Sequence, residues 1–479
     1  MDSRAVVPGA LFVAVPGFDT DGHRFLQDAL TRGATALLVQ EDSKETWESL
    51  IRKAGVAVVA VPDTRRAVAQ VAAAFYGEPA LRLGMIGVTG TDGKTTTVQL
   101  IAHVLENAGQ PTGYLSSAAF RSTREPARVN DSHMTTLEAP FVQEQLASMA
   151  AAGMRYAVVE ASSHGLALHR VDACAFDVAV FTTLSRDHLD FHKTMDEYRR
   201  AKGRLFEMLD EAPPKSNIRK AAILNADDPA SEFFQTLTKA PVVTYGIEKP
   251  ADLRATGIRM TPEGARFKLQ TNDRRVGVET RLLGLFNVYN CLAAAAVGLS
   301  QNWDLDALAN GLRDFSGVPG HLEPVDEGQP FRVIVDIAST EAALRRVLNV
   351  LRPATEGKLI VVFGCAGERD TARREGMGRV AGELADFAVL TNEDPRREDP
   401  DTIIEEIALA LRAAGREEGR DFARVTDRRE AIALAFERAN AGDTVLLTGK
   451  GVEPSIVIGT EAMSWNEAQV AREELRKLR

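Results

Sequence analysis

At 479 residues the chain is too long for one hydrophobic core and is expected to form about three domains of ~150 residues each. Its hydrophobic fraction of 45% and charged fraction of 26% are those of an ordinary soluble globular protein. A formal charge of −10 with no Lys/Arg block argues against nucleic-acid binding, and no apolar run approaches the ~20 residues of a membrane span.

Residues 1 to about 84 alternate strand and helix patterns. Ala10–Val15, Ala36–Val39 and Val56–Val61 read as strands, and Gly22–Leu30 as a helix. Asp63-Thr64-Arg65-Arg66 opens a second helix, which ends near the turn Tyr76-Gly77-Glu78-Pro79, an expected domain boundary. The N-terminus, Met1-Asp2-Ser3-Arg4, carries no basic-plus-apolar signal. Cys174, Cys291 and Cys365 lie far apart without metal or disulfide spacing, so reduced thiols and a cytoplasmic location are expected.

The second segment opens with a short apolar run, Leu83–Ile86, then the turn Gly87-Val88-Thr89-Gly90-Thr91-Asp92-Gly93-Lys94-Thr95-Thr96-Thr97, then a helical pattern over Val98–Leu105. Strand, glycine-rich turn and helix are the context in which a Gly-Lys-Thr loop cradles phosphates. Lys94 is expected to reach the terminal phosphates of a nucleotide and the Thr95 hydroxyl to ligate Mg²⁺. The loop is a variant, because Val88 stands where a Walker loop has its first glycine. Further strands are expected at Tyr156–Glu160, Val178–Phe181 and Ala221–Asn225, apolar enough for a parallel sheet covered on both faces. Residues 252–284 read as hairpins at an antiparallel edge, and Val288–Leu299 as a helix.

Phe315-Ser316-Gly317-Val318-Pro319-Gly320 reads as a hinge, after which α/β alternation restarts with strands at Val333–Asp336, Leu359–Gly364, Phe387–Leu390 and Thr444–Leu447. The expected domains are therefore 1–84, 85–312 and 313–479.

Three further features carry chemistry. Glu160 ends a strand, where carboxylates of open α/β sheets meet ligands, and could share the Mg²⁺ of Thr95. Arg186-Asp187-His188-Leu189-Asp190-Phe191-His192 is either a functional loop or a surface loop with capping aspartates. Lys202, read from periodicity alone, is one charged residue on an amphipathic helix.

Taken together, the phosphate loop, Glu160-Ala161-Ser162-Ser163-His164, Asp187-His188-Leu189-Asp190 and Ala201-Lys202 resemble the Mur ligase family of ATP-dependent acid–amino-acid ligases. The start, Asp2-Ser3-Arg4 through Pro8–Ala14, and Asp21-Gly22-His23 are similar to its MurE branch. Relatives carry a strand and helix before the position of Asp2. The resemblance implies a small N-terminal α/β domain binding a UDP-precursor, a central P-loop domain with a mostly parallel sheet binding ATP, and a C-terminal Rossmann-like domain binding an amino acid. It implies that a dibasic amino acid (meso-diaminopimelate, lysine or ornithine) is joined to UDP-MurNAc-L-Ala-D-Glu by a cytoplasmic monomer.

The resemblance also assigns positions. Gly90, Thr91, Asp92, Gly93, Lys94, Thr95 and Thr96 hold ATP, with Asn287 and Asn290 on the adenine side and Asp336 in the C-terminal domain. Thr95 and Glu160 hold one Mg²⁺. His188 and a carbamylated Lys202 hold a second, the carbamate turning an ammonium into a carboxylate-like ligand. Ser3, Thr135, Thr136, Ser162 and Arg170 bind the nucleotide-sugar peptide. Arg369, Glu393, Asp394, Pro395, Arg396, Gly449 and Glu453 face the amino acid. Glu393 and Asp394 replace the Asp-Asn of diaminopimelate-adding members and would suit a side-chain ammonium, whereas Arg396 would suit a second carboxylate.

Several motifs depart from the MurE pattern. His321 replaces an arginine that reaches ATP, Ser339 a histidine and Val452 another histidine, while Thr183 stands for asparagine and Leu168 for glutamine. Losing an arginine beside transferring phosphate can cost orders of magnitude in rate. A paralogue that binds nucleotide or precursor with little turnover is therefore an alternative, as is a ligase for another acid.

Overall fold

In the computed structural model, which describes residues 1–478 other than Asp19, 49–54, Asp131, His133 and Pro262, the apolar runs become strands of three principal sheets. The first is parallel, β1 (Leu11–Val13), β2 (Ala36–Gln40) and β3 (Ala57–Val61), with Leu11 opposite Ala36 and Ala36 opposite Ala57. The segment expected as one helix over 22–30 is a 3-10 turn, Gly22–Phe25, continued by a short helix, Leu26–Thr31. The buried His23 sets that turn: its Nδ1 lies 2.6 Å from Asp21 Oδ1, and its Nε2 accepts from Gln40 N at 3.0 Å.

The central sheet has eleven strands. They are β4 (Gly84–Thr89), β5 (Thr112–Leu115), β6 (Ala119–Arg121), β7 (Arg128–Val129), β8 (Tyr156–Glu160) and β9 (Val178–Phe181). Then follow β10 (Ala221–Asn225), β11 (Val242–Gly246), β12 (Leu253–Thr261), β13 (Gly264–Gln270) and β14 (Arg275–Thr280). The order is β14-β13-β12-β11-β10-β9-β4-β8-β5-β6-β7, parallel from β12 to β5 and antiparallel at both edges. One edge is the hairpin pair expected over 252–284. The other, β6 and β7, lacks a sequence signal because strands of three and two residues show no alternation.

β4, β8, β9 and β10 are buried along their whole length, as a largely apolar strand covered on both faces must be. Ile86, Val88 and Val158 face the helices Lys94–Asn107 and Leu285–Ser300, and Met85, Ala157 and Val159 face the helices Ala139–Ala151 and Met195–Glu211. The alternation of strand side chains thus builds two cores from one sheet. β4 lies between β8 and β9, and the chain leaves it toward β5 before returning to β8. That reversal opens a crevice at the carboxyl ends of β4 and β8, where ligands of such sheets bind.

The third sheet comprises β15 (Glu323–Val325), β16 (Arg332–Asp336), β17 (Leu359–Phe363), β18 (Phe387–Leu390), β19 (Phe422–Arg424) and β20 (Thr444–Thr448). Its order is β15-β16-β20-β17-β18-β19, all parallel except β15. A separate hairpin, β21 (Ser455–Ile458) and β22 (Glu461–Ser464), follows. At the hinge, Phe315 and Val318 are buried in the central core, while Gly317 and Gly320 take φ of 110° and 68°. Those left-handed glycines turn the chain between the two sheets. All three cysteines are free and buried. Among the described residues no helix is long and apolar enough to cross a membrane.

Candidate active site

The phosphate loop is shaped by what lies beneath it. β4 runs on to Thr89, and Val88 pairs with Glu160 of β8 inside the sheet, so glycine is not needed at position 88. Glycine is needed at 90 and 93. Gly90 has φ 151°, and a Cβ there would meet Thr182 Oγ1 at 1.9 Å; Gly93 has φ 81°, and a Cβ would meet Asn290 Oδ1 at 2.4 Å. Gly93 starts the helix Lys94–Asn107 with no side-chain cap, which leaves the first-turn N–H groups for an anion.

Polar contacts hold the loop from below. Thr91 N donates to Thr183 O at 2.6 Å, Asp92 N to Thr183 Oγ1 at 3.4 Å, and Thr182 Oγ1 to Asp92 O at 2.6 Å. Thr91 Oγ1 lies 3.2 Å from Tyr198 OH and accepts from Ser185 N at 3.0 Å. Lys94 Nζ donates to Thr91 O at 2.8 Å. Thr97 Oγ1 donates to Asn290 Oδ1 at 3.2 Å, Asn290 Nδ2 to Asn287 Oδ1 at 2.8 Å, and Asn287 Nδ2 to Leu283 O at 2.8 Å. Asn290 is therefore a buried brace under the loop, and Asn287 anchors that brace.

Glu160, buried at the end of β8, receives the Thr95 hydroxyl at 3.1 and 3.2 Å and Ser117 N at 2.8 Å, and Ser117 Oγ lies 2.7 Å from Thr95 Oγ1. Beside it, Thr136 Oγ1 donates to Glu160 O at 2.8 Å and lies 2.9 Å from Ser162 Oγ, which caps Gly165 N at 3.0 Å. Arg170 Nη1 donates to Thr136 O at 2.9 Å. Thr136, Ser162 and Arg170 thus gather around the end of β8. Ser3 is buried in the N-terminal unit, where its side chain bonds Asp28.

Lys202 is not on a solvated helix face. Only 1% exposed, it donates to Gly90 O at 2.6 Å and sits 4.3 Å from the Tyr198 ring centroid. Burial holds its amine well below the usual lysine range, with Lys94 adding to the depression. His188 has φ 52° and is half-exposed, its ring 4.8 Å from His164 and its Nε2 3.4 Å from Asp187 Oδ2. Among the described residues no three His, Cys, Asp or Glu side chains gather as a metal cage. Mg²⁺ does not ask for one: it keeps waters and takes one or two side chains plus substrate phosphates. The Thr95 hydroxyl against the Glu160 carboxylate fits that demand, and an amine at Lys202 whose charged form burial disfavours fits the addition of CO₂.

Two cavities meet the loop from the C-terminal side. One, of about 310 Å³, is lined by Thr96, Phe286, Asn287, His321, Asp336, Ser339 and Arg346 among others. Burial pushes the Asp336 carboxyl up, opposed by His321 and Arg346, and its oxygens accept Leu322 N and Ala338 N at 2.8 Å each. The other, of about 590 Å³, runs from Ser117 and Thr135 to Arg369, Arg373, Glu393, Asp394, Arg396 and Glu453. His321 and Ser339 line both, and Val452 lines the larger. Val452 also packs on Gly320, where a Cβ would meet its Cγ1 at 2.8 Å. Three of the departing positions therefore share one wall.

The larger cavity narrows the expectation for its acids. Lys450, fully buried, bonds Asp394 Oδ1 at 2.8 Å and Glu453 Oε2 at 2.6 Å, so the two carboxylates already share one ammonium within the chain. Glu393 Oε2 is buried without a partner, and burial lifts that carboxyl to about 7. Gly449, at φ 104°, leaves room for it: a Cβ there would lie 2.9 Å from Glu393 Oε2. Arg396 takes φ 51°, is tied by its N to Val457 O at 3.0 Å, and has an unpartnered Nε. Pro395 contributes backbone, its O accepting from Glu398 N at 3.0 Å. Arg428, buried against Glu467 at 2.6 Å, donates to Asn392 O and Thr448 O and so braces both loops of this wall.

Sequence reasoning missed Ser117, Tyr198, Arg346 and Arg373, which carry no signal that periodicity or motif spacing would single out. Lys450 stands in the motif Gly449-Lys450-Gly451, and the structure gives it the role of pairing Asp394 and Glu453.

Family models match nearly the whole chain: Mur ligase family, catalytic domain over residues 1–76; Mur ligase middle domain over 88–298; and Mur ligase, glutamate ligase domain over 320–451. The chain is 46% identical over 488 aligned positions to a UDP-N-acetylmuramyl-tripeptide synthetase of Roseiflexus sp. (strain RS-1), covering 100% of this chain and 94% of that one. It is 42% identical to a UDP-N-acetylmuramoyl-L-alanyl-D-glutamate–2,6-diaminopimelate ligase of Geobacillus thermodenitrificans (strain NG80-2), with the same coverage. A solved structure of a ligase with that same description superposes with a TM-score of 0.70 at 30% identity, over 100% of this chain and 94% of the other.

Proposed function

This chain belongs to the Mur ligase family, whose members are ATP-dependent, amide-bond-forming ligases, and from that premise we propose that it joins a dibasic amino acid to UDP-MurNAc-L-Ala-D-Glu. The division of labour follows the three segments: 1–84 for the UDP-precursor, 85–312 for ATP and 313–479 for the amino acid. One observation carries this reading. A single cavity of about 590 Å³ links Ser117, bonded to the Thr95–Glu160 pair, with Arg369, Glu393 and Arg396.

The glutamate γ-carboxylate attacks the terminal phosphate of ATP, giving an acyl phosphate and ADP. The amine of the incoming amino acid then attacks the acyl carbon, and phosphate leaves. Lys94 and the uncapped N–H groups after Gly93 neutralise charge that builds on the phosphates. Thr95 and Glu160 would hold one Mg²⁺, and His188 with a carbamate on Lys202 a second; bound there, the ions supply Lewis-acid stabilisation of phosphoryl oxygens. Thr135, Thr136, Ser162 and Arg170 orient the acid, with Ser3 at its uridine end. Arg369 takes the α-carboxylate of the amino acid. The free oxygen of Glu393 suits a side-chain ammonium, and Arg396 suits a carboxylate. The glycines of the hinge let the C-terminal unit close, shielding the acyl phosphate from water.

ADP release should be measured with the UDP-dipeptide and each of diaminopimelate, lysine and ornithine. Release dependent on both the dipeptide and one of these amino acids is the expected result. No release with any of them, despite nucleotide binding, sinks the ligase reading in favour of a binding paralogue. That second reading draws on the shared wall of His321, Ser339 and Val452.

A further inference from the structure

Arg346 stands on the helix Glu341–Leu351 of the C-terminal unit, yet its Nη1 lies 2.5 Å from Asp92 Oδ1 inside the phosphate loop. The pair bridges two sheets across the mouth of the cavity that also holds Thr96, Asn287, His321 and Asp336. Both side chains remain about half exposed, at 56% and 42%. A pair that wet is a poor clamp, since solvent screens it and ordering two side chains offsets the attraction. It is, however, easily exchanged. Asp92 lies between Gly90 and the uncapped helix start at Lys94, so a triphosphate in the loop brings several negative charges to the same place. A guanidinium binds phosphate oxygens through paired, charge-assisted hydrogen bonds, and a polyphosphate outbids one solvated carboxylate.

We propose that Arg346 is a phosphate-binding residue delivered from the C-terminal unit. Its pairing with Asp92 gives way to the phosphates when ATP fills the loop. The transfer couples nucleotide binding to the seating of the C-terminal unit. This deepens the ATP-dependent reading above but rests only on its nucleotide-binding half.

The test is equilibrium titration of the full-length chain with a non-hydrolysable ATP analogue and Mg²⁺. Arg346→Ala should weaken binding at least tenfold, and Arg346→Lys should recover part of the loss. Adenosine, which carries no phosphate, should compete for the site equally well in Arg346→Ala and in the parent. An Arg346→Ala affinity for the ATP analogue within twofold of the parent overturns the proposal. So does a loss of adenosine binding as large as the loss of analogue binding, which would mark a simple interdomain tie. Because the titration needs no turnover, a chain that behaves as expected here but releases no ADP refutes the ligase reading alone.

Discussion

The loop side of the central sheet and the facing wall of the C-terminal sheet border the same cavities but satisfy their polar groups differently. On the loop side the groups nearest the phosphates, Lys94, Thr95, Glu160 and Lys202, each bond to a partner within the chain, and the unpartnered atoms Thr89 Oγ1, Ser163 Oγ and Arg170 Nε lie around them. On the facing wall Glu393 Oε2, Asn392 Oδ1, Arg373 Nε and Arg396 Nε are buried without partners. An unmet buried polar group costs about 1–3 kcal/mol, so a cluster of them persists where a bound molecule supplies the missing bonds. The loop side is preorganised for a polyphosphate, whose charge is the same in every turnover. The opposite wall keeps buried polar atoms open and carries three of the departing positions, His321, Ser339 and Val452, while Thr183 and Leu168 lie on the central side.

The largest expected effect lies on the loop side. Lys202→Ala should lower ADP release by about 10³-fold or more, and added bicarbonate should not restore it. Near-parental turnover in that variant would reduce Lys202 to a buried prop for Gly90. Next comes Thr95→Ala, expected to weaken Mg²⁺ by about 10- to 100-fold. The check is the Mg²⁺ dependence of ATP-analogue binding, and an unchanged dependence would remove Thr95 from the metal site.

Changes to the facing wall sharpen the contrast from the other direction. His321→Arg should raise the turnover rate by about tenfold if the altered wall limits catalysis. An unchanged rate would show that the wall, though altered, is not limiting. The smallest effect concerns Glu393, whose carboxyl burial lifts from its ordinary 4.5 to about 7. Folding therefore takes up a proton between those values, so the stability tied to Glu393 is complete below about 4.5 and declines as pH rises through 7. Glu393→Gln abolishes that decline, and its melting temperature should gain on the parent's as pH rises across this window. In the parent, binding lysine or ornithine near pH 7 should also release a fraction of a proton as the ammonium draws Glu393 into its charged form. Calorimetry in buffers of different ionisation enthalpy would detect this, and equal proton release by Glu393→Gln would exclude Glu393 as the ammonium partner.

Much of the frame was legible in the residues. The strands β8, β9, β10 and β18 coincide with their apolar runs, since a strand buried on both faces must be apolar throughout. The short edge strands β6 and β7 and the β21–β22 hairpin escaped because segments of two to four residues, partly or wholly exposed, carry no period. For Lys202, periodicity pointed to a solvated helix face, whereas the fold buries it under Gly90. Glu393 and Asp394 read alike in sequence, yet Lys450 pairs with one and leaves the other free.

What the sequence determined by itself was chemistry that is local in the chain. A glycine loop between a strand and a helix makes a phosphate cradle wherever the fold puts it, because its N–H groups and left-handed glycines belong to one short stretch. Only the tertiary structure decided which charges are spent and which are free. That outcome depends on partners far apart in the chain, Lys450 on Asp394 and Arg346 on Asp92, and on burial that strips water from an amine or a carboxylate. Neither has a local signature, since both come from packing one sheet against another.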